Sequence, residues 1–217
     1  MRALLLAALP LLAACAGNPA PPGWQANAQQ ALRNFSVAYY AGNTRLAAQE
    51  FARARAEIAA TGRPDLLARA ELVRCAARVA SLEFDACAGF EALAADAGAE
   101  ERAYAAFLAG RWRGLDASLL PAQHRALIAG AADAGALAAI EDPTSRLVAA
   151  GVLFRVGRLA PSGIATAVET ASANGWRRPL LAWLGVQAAR ADAAGDGAAA
   201  ARIRRRIELV TSSAAAR

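Results

Sequence analysis

The sequence predicts an all-α fold of about five helical hairpins stacked into a superhelix, and three observations predict it. About 65 of the 217 residues are alanine, the best helix former and small enough for helices to pack closely. From Trp24 onward, apolar residues recur at three- and four-residue spacing, as helices with one buried face require. Phe51, Phe90, Ile128, Val168 and Ile203 then repeat a similar helix face at intervals of about 35 to 40 residues, the length of a helix-turn-helix unit. One such unit cannot bury its own apolar face, so neighbours must stack.

The first segment, residues 1–14, has a different task. Arg2 is its one charge, an apolar stretch runs from Leu4 to Ala14, and Leu12-Ala13-Ala14 stands directly before Cys15. This reads as a bacterial lipoprotein signal peptide ending in a lipobox. The small side chains suit a peptidase, the Cys15 thiol is the nucleophile that accepts a diacylglyceryl group, and the α-amino group of Cys15 freed by cleavage takes an N-acyl chain. A permanent membrane helix is a poor reading of the same residues, because the stretch would span roughly 16 Å and Pro10 interrupts it. Ala16 follows the cysteine where an Asp would signal inner-membrane retention, which points to the inner leaflet of an outer membrane, facing the periplasm. Residues 15–23 form a Pro- and Gly-rich tether, extended to about 25 Å.

The helical body is predicted over residues 24–211, followed by a short tail, 212–217. Trp24, Ala28, Ala31, Leu32, Phe35 and Tyr39 share the first helix face, and Gly42 is placed to end that helix in a left-handed cap. Asn43 or Thr44 caps the second, which carries Ala47, Phe51, Ala54 and Ile58. Pro64 opens a third helix, from about Asp65 to Leu82. A fourth carries Ala86, Phe90, Leu93 and Ala97 before Gly98 stops it. Asp142-Pro143, Pro161, Asn174-Gly175, Pro179 and Gly195-Asp196-Gly197 divide the remainder. Residues 113–141 show no clear helix face.

Gly42, Ala47, Phe51 and Ala54 carry a resemblance: they match the Gly-x4-Ala-x3-Phe-x2-Ala pattern that links the two helices of a tetratricopeptide (TPR) repeat. Ala86 and Phe90 keep part of it, and Trp183, Ala199 and Ile203 offer a last echo. The chain resembles the TPR-like α-solenoids most over residues 25–95, although its period is longer than theirs. The resemblance implies a right-handed αα-hairpin superhelix whose concave groove binds peptides or protein partners.

Candidate chemistry is sparse. The one histidine, His124, has no neighbouring nucleophile with an orienting acid, since Asp116 and Ser118 read as helix-cap residues. The pairs Glu100-Glu101 and Glu141-Asp142 point about 100° apart on a helix and suit helix starts better than a shared substrate. No metal-ligand spacing and no phosphate-binding loop is present. Most aromatic residues fall on inward faces, whereas Tyr40, next to packed Tyr39, points elsewhere and is a candidate for contact with a partner in a groove.

The net charge is +6 and every basic residue is arginine, a composition that fits a GC-rich genome. Arg202, Arg204, Arg205 and Arg206 form the densest run, with Arg177, Arg178 and Arg190 upstream. They read either as a solvated helix face or as an anion-binding patch for acidic lipid or cell-wall polymer; nucleic acid is a poor partner for an exported chain.

Cys75 and Cys87 remain after Cys15 is spent, and an even pair in an oxidising compartment favours a disulfide. On the two helices of the second hairpin, about a turn near Ser81 to Glu83, their axial offset is only about 3 Å. The competing reading is two buried thiols. The expected whole is a non-enzymatic, lipid-anchored adaptor of the Gram-negative envelope that binds a protein partner and needs no cofactor beyond its acyl chains. The alternatives are a peptidoglycan-acting enzyme or regulator, or a lipoprotein that binds anionic lipid or polymer.

Overall fold

The computed structural model describes residues 22–128, 130 and 134–215; the predicted leader and Cys15 lie outside them. Every regular element among these residues is helical. The order is α1 (Gly23–Tyr40), α2 (Thr44–Ala59), α3 (Pro64–Ala80), α4 (Ala88–Glu91) and α5 (Ala99–Leu108). A 3-10 turn (Ala117–Leu119), α6 (Ala122–Ile128) and α7 (Ala134–Ala138) follow. The last four are α8 (Pro143–Arg155), α9 (Pro161–Ala173), α10 (Arg177–Ala193) and α11 (Gly197–Ala215). Helix α11 continues through the start of the predicted tail.

Local chemistry sets most boundaries. Gly42 ends α1 with φ +80°, and Asn43 N–H closes the cap on the Ala38 carbonyl at 2.9 Å. The Asn43 side chain then accepts from Leu46 N–H at 3.1 Å and starts α2. Pro64, Pro143 and Pro161 each occupy the first turn of a helix, where the missing N–H costs nothing. Asp142 caps α8 by accepting from Ser145 N–H at 2.6 Å. The end of α3 departs from this pattern: Leu82, not a glycine, takes the left-handed position with φ +59°, while Glu83 N–H reaches the Arg78 carbonyl at 2.9 Å.

The fourth predicted helix is corrected. Only Ala88–Glu91 is helical, and the bonds Leu93 N–H to Phe90 O and Asp96 N–H to Leu93 O replace the helical ladder beyond it. Gly89 explains the local path, because it crosses directly over the Glu71 carboxylate and a Cβ would collide with it. Phe90 and Ala97 are still buried. The apolar residues were therefore recognisable while their helical periodicity was not used.

The second difference is topological. Helices α1 and α2 form a tight hairpin, and so do α10 and α11, but the main partner of α3 is α8 rather than its successor. Residues 81–142, with the short helices α4 to α7, lie between those partners in sequence. Gly151 on α8 sits so close to α3 that a Cβ would meet the Val79 carbonyl. One core joins Phe35 and Phe51 to Leu72, Phe107, Leu153 and Trp183. Helix α10 also returns to the first three helices. Trp183 on α10 donates to the Ala80 carbonyl at 3.1 Å, and Arg178 donates to Tyr39 O at 2.9 Å and to Thr44 Oγ1 at 2.7 Å.

Candidate functional site

The close approach of α3 to α8 leaves a groove on the side where α1 and α5 flank them. Its volume is about 440 Å³. Helix α3 supplies an apolar floor, Leu72, Val73 and Ala76, which Val148 of α8 and Pro121 extend. Polar groups enter from the edges: Ser36 and Tyr40 from α1, Glu100, Glu101 and Tyr104 from α5, Thr144 and Ser145 from the start of α8. A narrower apolar cleft of about 260 Å³, walled by Trp24, Ala28, Leu32, Ile58 and Leu66, continues along α3 and shares Arg69 and Val73 with the first. Together they follow α3 from Leu66 to Ala76, about 15 Å of helix.

Tyr40 is where sequence reasoning needs amendment. Its side chain does not stand free: the residue is 2% exposed, its ring stacks on Trp176 with centroids 4.7 Å apart, and Tyr39 meets it edge-on at 5.9 Å. Adjacent helical positions can both be buried because α1 is covered on two sides, by α2 and α3 and by α10. Tyr40 forms part of the groove wall, but its hydroxyl is closed off from solvent beside Thr144 and Tyr104. Burial raises the pKa of both Tyr40 and Tyr104 far above the usual phenol range, so both hydroxyls remain neutral.

The acidic pair at the start of α5 divides its labour. Glu101 accepts from Arg69 Nε at 2.8 Å, which fixes Arg69 at the junction of the two clefts. Glu100 is exposed on the rim. The other pair does not enter the groove's interior, since Asp142 is spent as the cap of α8. His124 is a core residue, 2% exposed. Its Nε2–H donates to the Ser145 carbonyl at 3.2 Å, and its ring packs against Tyr104 and Phe107, at 6.0 and 4.9 Å, which also touch each other. Asp116 caps the 3-10 turn, accepting from Ser118 N–H at 2.8 Å.

Cys75 and Cys87 are joined by a disulfide with Cα atoms 5.9 Å apart. Cys87 is the residue before α4 rather than part of a long second helix. The arginine run is split by its helix: Arg204 pairs with Asp192 at 2.6 Å, whereas Arg202, Arg205 and Arg206 are exposed and make no ion pair among the described residues. Arg178 belongs to the interior, with its guanidinium 4.4 Å from the Tyr39 ring centre and 3.2 Å from Glu83.

Comparison with protein-family models, with curated proteins and with solved structures finds no match for the chain. Among the described residues, no group of three or more His, Cys, Asp or Glu side chains could hold a metal ion, and no helix is long and apolar enough to cross a membrane.

Two features escaped the sequence reading. The first is the groove's polar edge, Ser36, Arg69 and Thr144, because nothing local marks residues that meet across three helices. The second is Glu71, fully buried, which pairs with Arg55 and with Arg74, the latter at 2.6 Å. A lone carboxylate on the apolar face Ala68-Leu72-Cys75 was the available signal.

Proposed function

We propose that this chain is a non-enzymatic lipoprotein of the bacterial envelope, held at the periplasmic face of the outer membrane by acyl chains on Cys15, and that it binds a segment of a protein partner along α3. One observation carries the partner reading: a long apolar groove along α3, floored by Leu72, Val73, Ala76 and Val148 and edged by polar side chains. The partner's apolar side chains fill the floor over Leu72 and Val148, while Ser36, Arg69 and Thr144 at the edges offer hydrogen bonds to its backbone.

The scaffold is proposed to be a TPR-like, right-handed αα-hairpin superhelix, which the paired helices α1–α2 and α10–α11 support. Five equal hairpins are not retained in this reading, since residues 81–142 hold helices of ten residues at most. The peptidoglycan-enzyme alternative would need two working carboxylates in one cleft. Glu101 is committed to Arg69, which leaves Glu100 without a partner for that chemistry.

A photo-crosslinking side chain placed at Ser36, on the groove wall, should capture a discrete envelope protein, and Val73→Arg should abolish the capture. Capture that persists in Val73→Arg, or that is equalled by a probe at the distant exposed Arg53, defeats the groove reading. Anchoring is tested separately. Cys15→Ser should leave an unprocessed precursor, and Ala16→Asp should move the protein from outer to inner membrane fractions.

A further inference from the structure

Helix α11 packs chiefly on α10. Its inward face is Ala200, Ile203, Ile207 and Val210, which join or pack against the core. With about 100° of rotation per residue, Arg202, Arg205 and Leu209 fall within an arc of about 60° on the opposite side, and Arg206 lies at its edge, bordering a cleft with Glu169 of α9 and Gln187 of α10. All four are exposed, and Leu209 is one of the few large apolar residues that is, at 70%. Arg204 turns away from them toward Asp192. Glu208 also lies outside the arc. The outward face thus carries the guanidiniums of Arg202 and Arg205, with no ion pair among the described residues, the aliphatic Leu209 one to two turns further along, and Arg206 at its flank.

We propose that this face of α11 is a docking surface for anionic membrane lipid, with Arg202, Arg205 and Arg206 on the phosphates and Leu209 at the acyl boundary. Guanidinium groups match phosphate oxygens in geometry and charge. A solvated arginine face needs no exposed leucine at its end, and an anionic cell-wall polymer has no apolar layer to receive one. A bilayer offers charge above and hydrocarbon below in that order. The surface holds the body against the membrane in one orientation. This inference depends on neither the groove nor the acylation of Cys15.

The test uses the full-length chain with Cys15→Ser, so that no acyl chain contributes, and flotation with vesicles of phosphatidylcholine alone or mixed with phosphatidylglycerol at moderate salt. The leader is common to all variants and cancels in their ratios. Partition onto the anionic vesicles should fall about a hundredfold in the triple variant Arg202→Gln, Arg205→Gln, Arg206→Gln, at roughly fivefold per arginine. The same charge removed from α1 and α2, by Arg33→Gln, Arg45→Gln and Arg53→Gln, should change it by less than about threefold. Leu209→Ser should weaken binding severalfold at low and high salt alike. The proposal is overturned by equal partition of parent and triple variant, by equal loss in the α1–α2 control, by no effect of Leu209→Ser, or by binding to purified cell wall and not to anionic vesicles.

Discussion

His124 shows how a side chain with catalytic potential becomes a structural one. The Ser145 carbonyl accepts from Nε2, so Nδ1 carries a lone pair, and it has no partner. Burial against two aromatic rings is the main reason that its pKa lies below the ordinary 6.5, with the Ser145 carbonyl opposing the shift. The unfolded chain therefore takes up a proton at a higher pH than the folded one. The resulting stability is present above about 6.5 and is lost as pH falls from there toward the folded value. Chemical denaturation at pH 7.5 and 5.5 should show lower stability at the acid value, and His124→Phe should flatten that difference. An unchanged slope in the variant would remove His124 as its source. Since the chain has one histidine, no other imidazole can mask the result.

At the scale of elements, Gly151 and the disulfide hold the centre of the molecule together. The α3–α8 crossing is a backbone contact at Gly151, so a single methyl group must push two helices apart. Gly151→Ala should cost about 1 to 3 kcal/mol, as overpacking in a close-packed interior does, even though alanine is the better helix former by about 1 kcal/mol. A variant as stable as the parent in urea would show that the crossing can relax. The Cys75–Cys87 bridge closes a short loop, with a sequence separation of 12, and is worth about 2 to 3 kcal/mol on an entropic account. Thiol titration of the denatured, exported protein should find neither cysteine free, and two free thiols would contradict the bridge. Glu71 illustrates the same economy of space. Its carboxylate is tolerable in the core because Arg55 and Arg74 both reach it, and Gly89 leaves it room.

For the whole molecule, the decisive contacts lie between residues more than 100 apart. Arg178 bonds residues 139 and 134 positions away, and Trp183 reaches across 103. In an open solenoid each repeat touches its neighbours only; here the last hairpin returns to the first. Replacing Arg178 with Met keeps the aliphatic stem and removes three donors. The expected loss is about 2 kcal/mol, as for charge-assisted bonds that are partly desolvated. Hydrogen exchange should quicken at the end of α1 and the start of α10 together. If only α10 responds, the two ends are not energetically linked. Closure also places Trp176 on Tyr40, so the same substitution should loosen the base of the groove.

The sequence by itself determined the helical class, the first three helices and most of the turns. These depend on neighbours within a few residues: Gly42 for a left-handed cap, Asn43 for an N-cap, Pro64 and Pro143 for helix starts. Apolar spacing likewise marked Phe35, Phe51 and Phe90 as core. Tertiary structure alone decided that α3 pairs with α8, that Tyr40 is covered by Trp176, and that Arg178 is a clasp rather than part of a basic surface. It also decided which members of the 202–206 run face outward. Such choices depend on which distant surfaces fit one another, on a missing methyl at Gly151 and a carboxylate at Glu83. A periodic pattern records that a face is buried, but the identity of the surface that buries it is a property of the packed whole.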